Sequence, residues 1–191
     1  QQMMGVDHPV IGVLFGGGER VAQRAVPTDR PVMLETELGF RLRHDITAEQ
    51  TEEEVGTSVQ SVLPVIELAA PNLEQRPNAV DLIASNSATY AFIPGAPVAA
   101  PWHDTTTRPD LDQVAIRLLQ ENDMLHADQA GSIMQGQWHA LSWLLNEVMG
   151  MGYPLRADHL LMTGSIGALH PGKPGHYRAE YGSLGSIDFT L

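Results

Sequence analysis

Residues 33–40 read MLETELGF, and the two acids in this apolar run decide how the chain is built. Side chains two apart on a β-strand share a face. A strand here therefore sets Glu35 and Glu37 side by side, within a run that also holds Leu34, Leu38 and Phe40. Like charges so placed repel, and burial raises the cost unless a cation neutralises them. The alternative is an edge strand whose polar face meets water, with both acids simply solvated. Further along, VLPVIELAA (62–70) is a β-branched apolar strand with a single acid, Glu67. Three carboxylates on apolar strands are hard to explain as three independent solvated faces. Oxygen-only ligation of this kind suits Mg²⁺ or Mn²⁺, leaving octahedral positions to water and substrate. Glu74, the competing acid nearby, is expected to be exposed.

The flanking sequence fills in the architecture. VIGVLF (10–15) is a short strand candidate and GGG (16–18) a turn; no Gly-Lys-Ser/Thr follows, so it is not a phosphate-binding loop. DITAEQTEEEVGTSVQSV (45–62) reads as a helix capped by Thr47 with Gln50 three positions on, and Glu52, Glu53 and Glu54 as its solvated first-turn acids. The segment from Pro77 suggests a short helix running into a strand. QVAIRLLQENDMLHA (113–127) reads as a hairpin about its polar centre. Ile133, Trp138, Leu141, Leu145 and Val148 recur at helical spacing over 132–149. HLLMTGSIG and GSIDFTL supply two more strands, separated by a Gly/Pro loop with His170, Lys173 and His176 that is either an exposed connection or a lid. Strands outnumber scattered helices, which favours a β-rich mixed α+β domain over a parallel doubly wound one.

Bulk composition limits the function. The 191 residues suffice for one well-buried domain, and 43% hydrophobic with 18% charged residues is a globular balance. A net charge of −12 argues against a nucleic-acid partner. There is no cysteine, hence no disulfide, thiolate ligand or cysteine nucleophile. No apolar stretch reaches the length of a membrane span, so no membrane partner is expected. A cytoplasmic location follows as the expectation, although a chain that begins Gln1-Gln2 is also compatible with a cleaved leader.

The stretches GVDHPVIGVLF, LETELGFRL, VLPVIELA, DLIASNSATYAFIPG, ALSWLLNEVMGMGYPLRADHLLMTGSIGAL and LGSIDF, taken in order, resemble the 2-keto-4-pentenoate (2-hydroxypenta-2,4-dienoate) hydratases and 2-oxo-3-hexenedioate decarboxylases of the fumarylacetoacetate hydrolase superfamily. The resemblance implies that superfamily's β-rich fold over a single hydratase-like domain, residues 1–191, and a homo-oligomer. It implies Glu35, Glu37 and Glu67 as ligands of Mg²⁺ or Mn²⁺, and Asn86, Thr163 and Gly164 as substrate-orienting positions. The activity implied is a lyase of aromatic catabolism acting on a small 2-oxo or 2-hydroxy-dienoic acid through a metal-stabilised enolate.

The chain also departs from the pattern. The resemblance implies an upstream segment bearing an acid–base lysine, whereas the sole lysine here, Lys173, falls in the C-terminal loop. Val10 stands where the family has an acid, and Ala88 where it has a serine. His8 and His139 are the candidate substitutes for proton transfer, and the general acid or base is unassigned. The reading is thus a metal-dependent hydratase-like enzyme. A decarboxylase or C–C hydrolase of a related oxo acid, or a non-catalytic binder of metal and oxo acid on the same fold, stands beside it.

Overall fold

The computed structural model describes residues 8–22, 25–71, 73, 78–99 and 108–191. In chain order the strands are β1 (Met33–Leu42), β2 (Val59–Ala69), β3 (Thr89–Pro94), β4 (Val98–Ala99), β5 (Ala115–Gln120), β6 (Asp123–Gln129), β7 (Leu160–Met162), β8 (Ile166–Pro171), β9 (His176–Glu180) and β10 (Ser186–Thr190). The helices are α1 (Glu52–Val55), α2 (Ala79–Ala84) and α3 (Gln137–Gly150). The first sheet runs β3-β2-β1, with β7 and β8 sharing the far edge of β1 and β4 joining β2. A second sheet runs β10-β9-β5-β6. The pairings between these strands are antiparallel, giving the β-rich α+β fold expected.

Period-two alternation explains how the sheets stack. Leu34, Leu38, Phe40 and Leu42 of β1 point to the same side as Val62, Ile66 and Leu68 of β2, and all seven are buried in the main core. Ile116, Leu118, Tyr177, Ala179, Ile187 and Phe189 from the second sheet meet them there, with Trp138, Leu141 and Leu145 of α3. The second sheet's outer positions are charged: Arg178 pairs with Glu180 and Asp188 in water. The first sheet's other face is also covered. Leu63, Val65 and Phe92 form one small apolar cluster there, joined by Leu14, Leu160 and Met162. Ala69, Leu82 and Ala88 form another, joined by Val10 and Met33.

Several local expectations need correction. Residues 10–15 are not a strand; at their middle the Asn86 amide occupies both polar groups of Val13, accepting from Val13 N at 2.7 Å and donating to Val13 O at 2.9 Å. The long helix expected over 45–62 shrinks to the single turn α1, capped by Thr51 with Glu54. The residues after it are claimed by β2, whose apolar face fits the core better than helical propensity fits the segment. At α2 the cap is Asn78 with Asp81. Pro77 and Glu74 lie outside the described residues. The expected loop around His170, Lys173 and His176 is shorter than read. Its ends belong to β8 and β9, and the buried Tyr177 hydroxyl donates to Lys173 O at 3.0 Å.

Helix α3 begins five residues later than periodicity suggests. Met134 and Gln135 take positive φ values of 37° and 65°, which turn the chain back before Gly136 at φ 114°. That detour brings the turn against Asp112, which leaves no room for a Cβ on Gly131. Gly136 offers no capping side chain, so Asp112 serves from a distance: its Oδ1 accepts from Gln137 N at 2.8 Å. A carboxylate there meets both an unpaired N–H and the positive end of the helix dipole. Asp112→Ala should therefore cost about 1 kcal/mol, the usual value of an N-cap. For a chain of this size the melting temperature should fall by about 2–4 °C. An unchanged melting curve by circular dichroism would show that this carboxylate does not cap the helix.

Candidate metal centre

On the first sheet's second face, β1 presents Glu35 and Glu37, and β2 presents Glu67 directly across from Glu35. Antiparallel register thus supplies the third acid that local sequence could not pair with the other two. One carboxylate oxygen from each lies within 4.8 Å of the others. Oxygens bound to one ion at about 2.0–2.6 Å can be no further apart than about 4–5.2 Å, so the three are close enough to share a cation. Glu37 and Glu67 are buried and Glu35 partly so. The two apolar clusters flank them: Ala69 and Val65 stand on either side of Glu67 along β2.

Electrostatics make this cluster costly on its own. At an effective dielectric near 20, two charges at this separation repel by about 3 kcal/mol. Burial raises the Glu35 carboxyl to about 7, with Glu67's charge adding to the rise. Glu37 is pushed well above the ordinary carboxylate range by burial, then by Glu67 and Glu35, and Glu67 is raised by its own burial. Few groups offset these terms. Gly164 N donates to Glu37 Oε2 at 2.9 Å. The Ser165 hydroxyl helps the Glu35 anion by proximity but lacks a fully formed hydrogen bond. The Thr89 hydroxyl favours the Glu67 anion, yet among the described residues Glu67 Oε1 is buried with no hydrogen-bond partner. Among the described residues, none of the ion pairs includes any of the three acids. An orphaned buried oxygen in an all-carboxylate set suits a hard divalent cation.

The other candidates from sequence are placed as follows. Gly164 is at the site through its backbone N–H. The Thr163 side chain is buried and bonded to Gln137 Oε1 at 2.7 Å, so its hydroxyl is committed to the protein. The Asn86 amide is occupied with Val13. His139 sits 3.6 Å from Glu52 on the helical side of the molecule, and His8 is exposed. Val10 and Ala88 lie in the same apolar cluster, beside Met33. Sequence reading missed Gln137 and Ser165, and their only signal was polarity at a helix start and after a Thr-Gly pair.

The relatives fit this geometry. No family model matches the chain. It is 27% identical over 192 residues to the 2-keto-4-pentenoate hydratase of Paraburkholderia xenovorans (strain LB400), covering 98% of this chain and 70% of that one. The chain is similar along its length to 2-keto-4-pentenoate hydratases from several bacteria. Its fold matches 4-oxalocrotonate decarboxylase from Pseudomonas putida G7, solved with magnesium and adipate, at TM-score 0.86 and 20% identity over 99% of this chain and 72% of the other. Fumarylpyruvate hydrolase from Pseudomonas aeruginosa, solved with Mn²⁺ and pyruvate, matches at TM-score 0.68 and 14% identity over 90% and 72%. At these identities the two structures establish the fold alone, and it is the β-rich α+β one described above.

The raised carboxyls set a pH dependence. Above their ordinary pKa of about 4.5 the unfolded chain has lost protons that the folded cluster still holds, so stability falls as pH rises toward and past about 7. In chelator, the melting temperature should decline between about pH 5 and pH 8. A divalent cation competes with those protons, so stabilisation by Mg²⁺ or Mn²⁺ should grow over the same interval. A cation effect that is absent, or equal at both ends, would contradict a shared site.

Proposed function

We propose that Glu35, Glu37 and Glu67 hold Mg²⁺ or Mn²⁺ and that the chain is a hydratase-like lyase acting on a small 2-oxo or 2-hydroxy-dienoic acid. The convergence of the three carboxylates within 4.8 Å carries this reading, and the homologous hydratases give its direction. Bound there, the cation would act as a Lewis acid toward the vicinal oxygens of a 2-oxo acid. The protein's own contribution is to fix the ligands on two paired strands, to hold Glu37 by Gly164 N–H, and to shield the cluster with apolar neighbours. Those neighbours, Phe92 and Val65 on one side and Met33, Val10 and Ala88 on the other, suit a short hydrocarbon tail. They favour hydratase-type substrates over the dicarboxylic oxo acids of a decarboxylase, since a second carboxylate would lose its hydration there.

Among the described residues no helix is long and apolar enough to cross a membrane. A cytoplasmic homo-oligomer is part of the proposal. The exposed Phe15, Val80 and Ile83 supply apolar surface that a second copy would cover.

Proton transfer is the weak step. Positioned acids and bases contribute about 10²–10⁴-fold, yet Val10 and Ala88 fill their shared cluster with hydrocarbon. Oxalate and pyruvate should bind by calorimetry only when Mg²⁺ or Mn²⁺ is present, and Glu37→Gln should weaken that binding at least about tenfold. Hydration of 2-hydroxypenta-2,4-dienoate by these 191 residues should run below about 1 per second, the low end of ordinary turnover. Faster turnover would reveal a substitute proton carrier. Metal-independent oxo-acid binding, or none, would overturn the functional reading.

A further inference from the structure

Resting on the metal-site reading above, we propose that Gln137 is a positioning residue for that site, acting through Thr163 and the Gly164 peptide on Glu37. The chain of contacts is short. The Gln137 side chain is fully buried at the first position of α3. Its Nε2 donates to Ala130 O at 2.6 Å, which fixes the amide orientation and turns Oε1 toward Thr163. The Thr163 hydroxyl has one proton to give. Gln137 Oε1 at 2.7 Å takes it in preference to Leu38 O at 3.4 Å.

The next peptide is the one that matters. Thr163 N donates to Leu38 O at 3.3 Å, and the chain then turns at Gly164, φ 107°, so that Gly164 N–H meets Glu37 Oε2. Among the described residues nothing lies within 4 Å of where a Gly164 Cβ would stand, so no packing holds the turn on that side. The orientation of the Thr163–Gly164 peptide is therefore set by the anchors on Thr163, and the stronger side-chain anchor is Gln137. Among the described residues Gly164 N–H is the one backbone donor given to the buried Glu37 carboxylate, and it takes up Oε2, leaving Oε1 for a ligand. Both polar ends of this buried amide are satisfied, so leucine in its place would orphan the Ala130 carbonyl and the Thr163 hydroxyl. Its use here is geometric: it ties the start of α3, itself held by Asp112, to one corner of the acid cluster.

The test is Mn²⁺ affinity of the full chain, read from the free-Mn²⁺ signal by electron paramagnetic resonance, at a temperature where circular dichroism shows every variant folded. Groups that orient metal ligands typically contribute about 10–100-fold to affinity. Gln137→Leu and Thr163→Val should each raise the Mn²⁺ Kd about tenfold, and the double variant should be no worse than the worse single one. Thr163→Ser, which keeps the hydroxyl, should bind as the unaltered chain does. A purely structural role would lower the melting temperature of Gln137→Leu and leave the Kd alone, and that result overturns the proposal. Additive losses in the double variant overturn it too. Should Gln137→Leu fail to fold, Thr163→Val against Thr163→Ser makes the same comparison. The controls separate this inference from the site itself. An unaltered chain that binds Mn²⁺ no better than Glu37→Gln removes the metal site. Binding weakened by Glu37→Gln but untouched by Gln137→Leu removes only the role of Gln137.

Discussion

Repulsion among Glu35, Glu37 and Glu67 is the constraint around which the first sheet is organised. Glu35 and Glu67 face each other across the antiparallel pair, where like charges directly opposite are destabilising even in water. Burial makes the conflict worse, since ionised carboxylates removed from solvent lose hydration that Gly164 N–H and the nearby Ser165 and Thr89 hydroxyls replace only in part. Such an arrangement persists when the surrounding structure over-determines it. The ten-residue β1 and eleven-residue β2 pair along their lengths and bury the opposite face in the main core. A slip of one residue would move the acids into that core and Leu34, Leu38 and Phe40 out of it.

The small apolar clusters flanking the acids have a double effect. They exclude water from the edges of the site, which strengthens every electrostatic interaction inside it. They also account for the course of residues 8–15. This segment lies over the face without strand pairing, laying Val10 on one cluster and Leu14 on the other, while the Asn86 amide satisfies both polar groups of Val13. The Asn86 amide, read from the resemblance as a substrate-orienting group, is thus used as a tether for this segment.

Much of this was legible in sequence because strands announce themselves by a local period. The β1 acids, the apolar β2 with its single Glu67, and the β5–β6 hairpin could be read from alternation alone. Position of the third acid relative to the first two depends on register, which sequence does not display. The helices were read less well because caps compete: Thr51 with Glu54 won over Thr47, and α2 is capped by Asn78 with Asp81. The start of α3 was hidden because its cap, Asp112, comes from another part of the chain. Strands β8 and β9 were obscured by the prolines and glycines between them, and β9 is secured by pairing with β5 and β10. Gln137 had no signal beyond its polarity near a helix start, since its bond to Thr163 exists only once α3 and the end of β7 are folded against each other.

Strand β1 also shows how the site's rigidity reaches the core. Thr36 lies between the two acids and points the other way, fully buried. Its hydroxyl donates to Ile166 O at 2.7 Å, so its oxygen is left to accept from His126 Nε2 at 3.1 Å. That places the His126 proton on Nε2 and leaves Nδ1 as the acceptor for His170 Nε2 at 3.0 Å. Burial and the neighbouring His170 both lower the His126 pKa, which keeps the ring neutral and this order of donors intact. Because His126 belongs to β6 and His170 to β8, the chain of bonds joins the two sheets at the residue between the acids. Side-chain period fixes the consequence: displacing Glu35 or Glu37 by rotating the strand would pull Thr36 from both partners. The acids are therefore held by hydrogen bonds on the face they do not share.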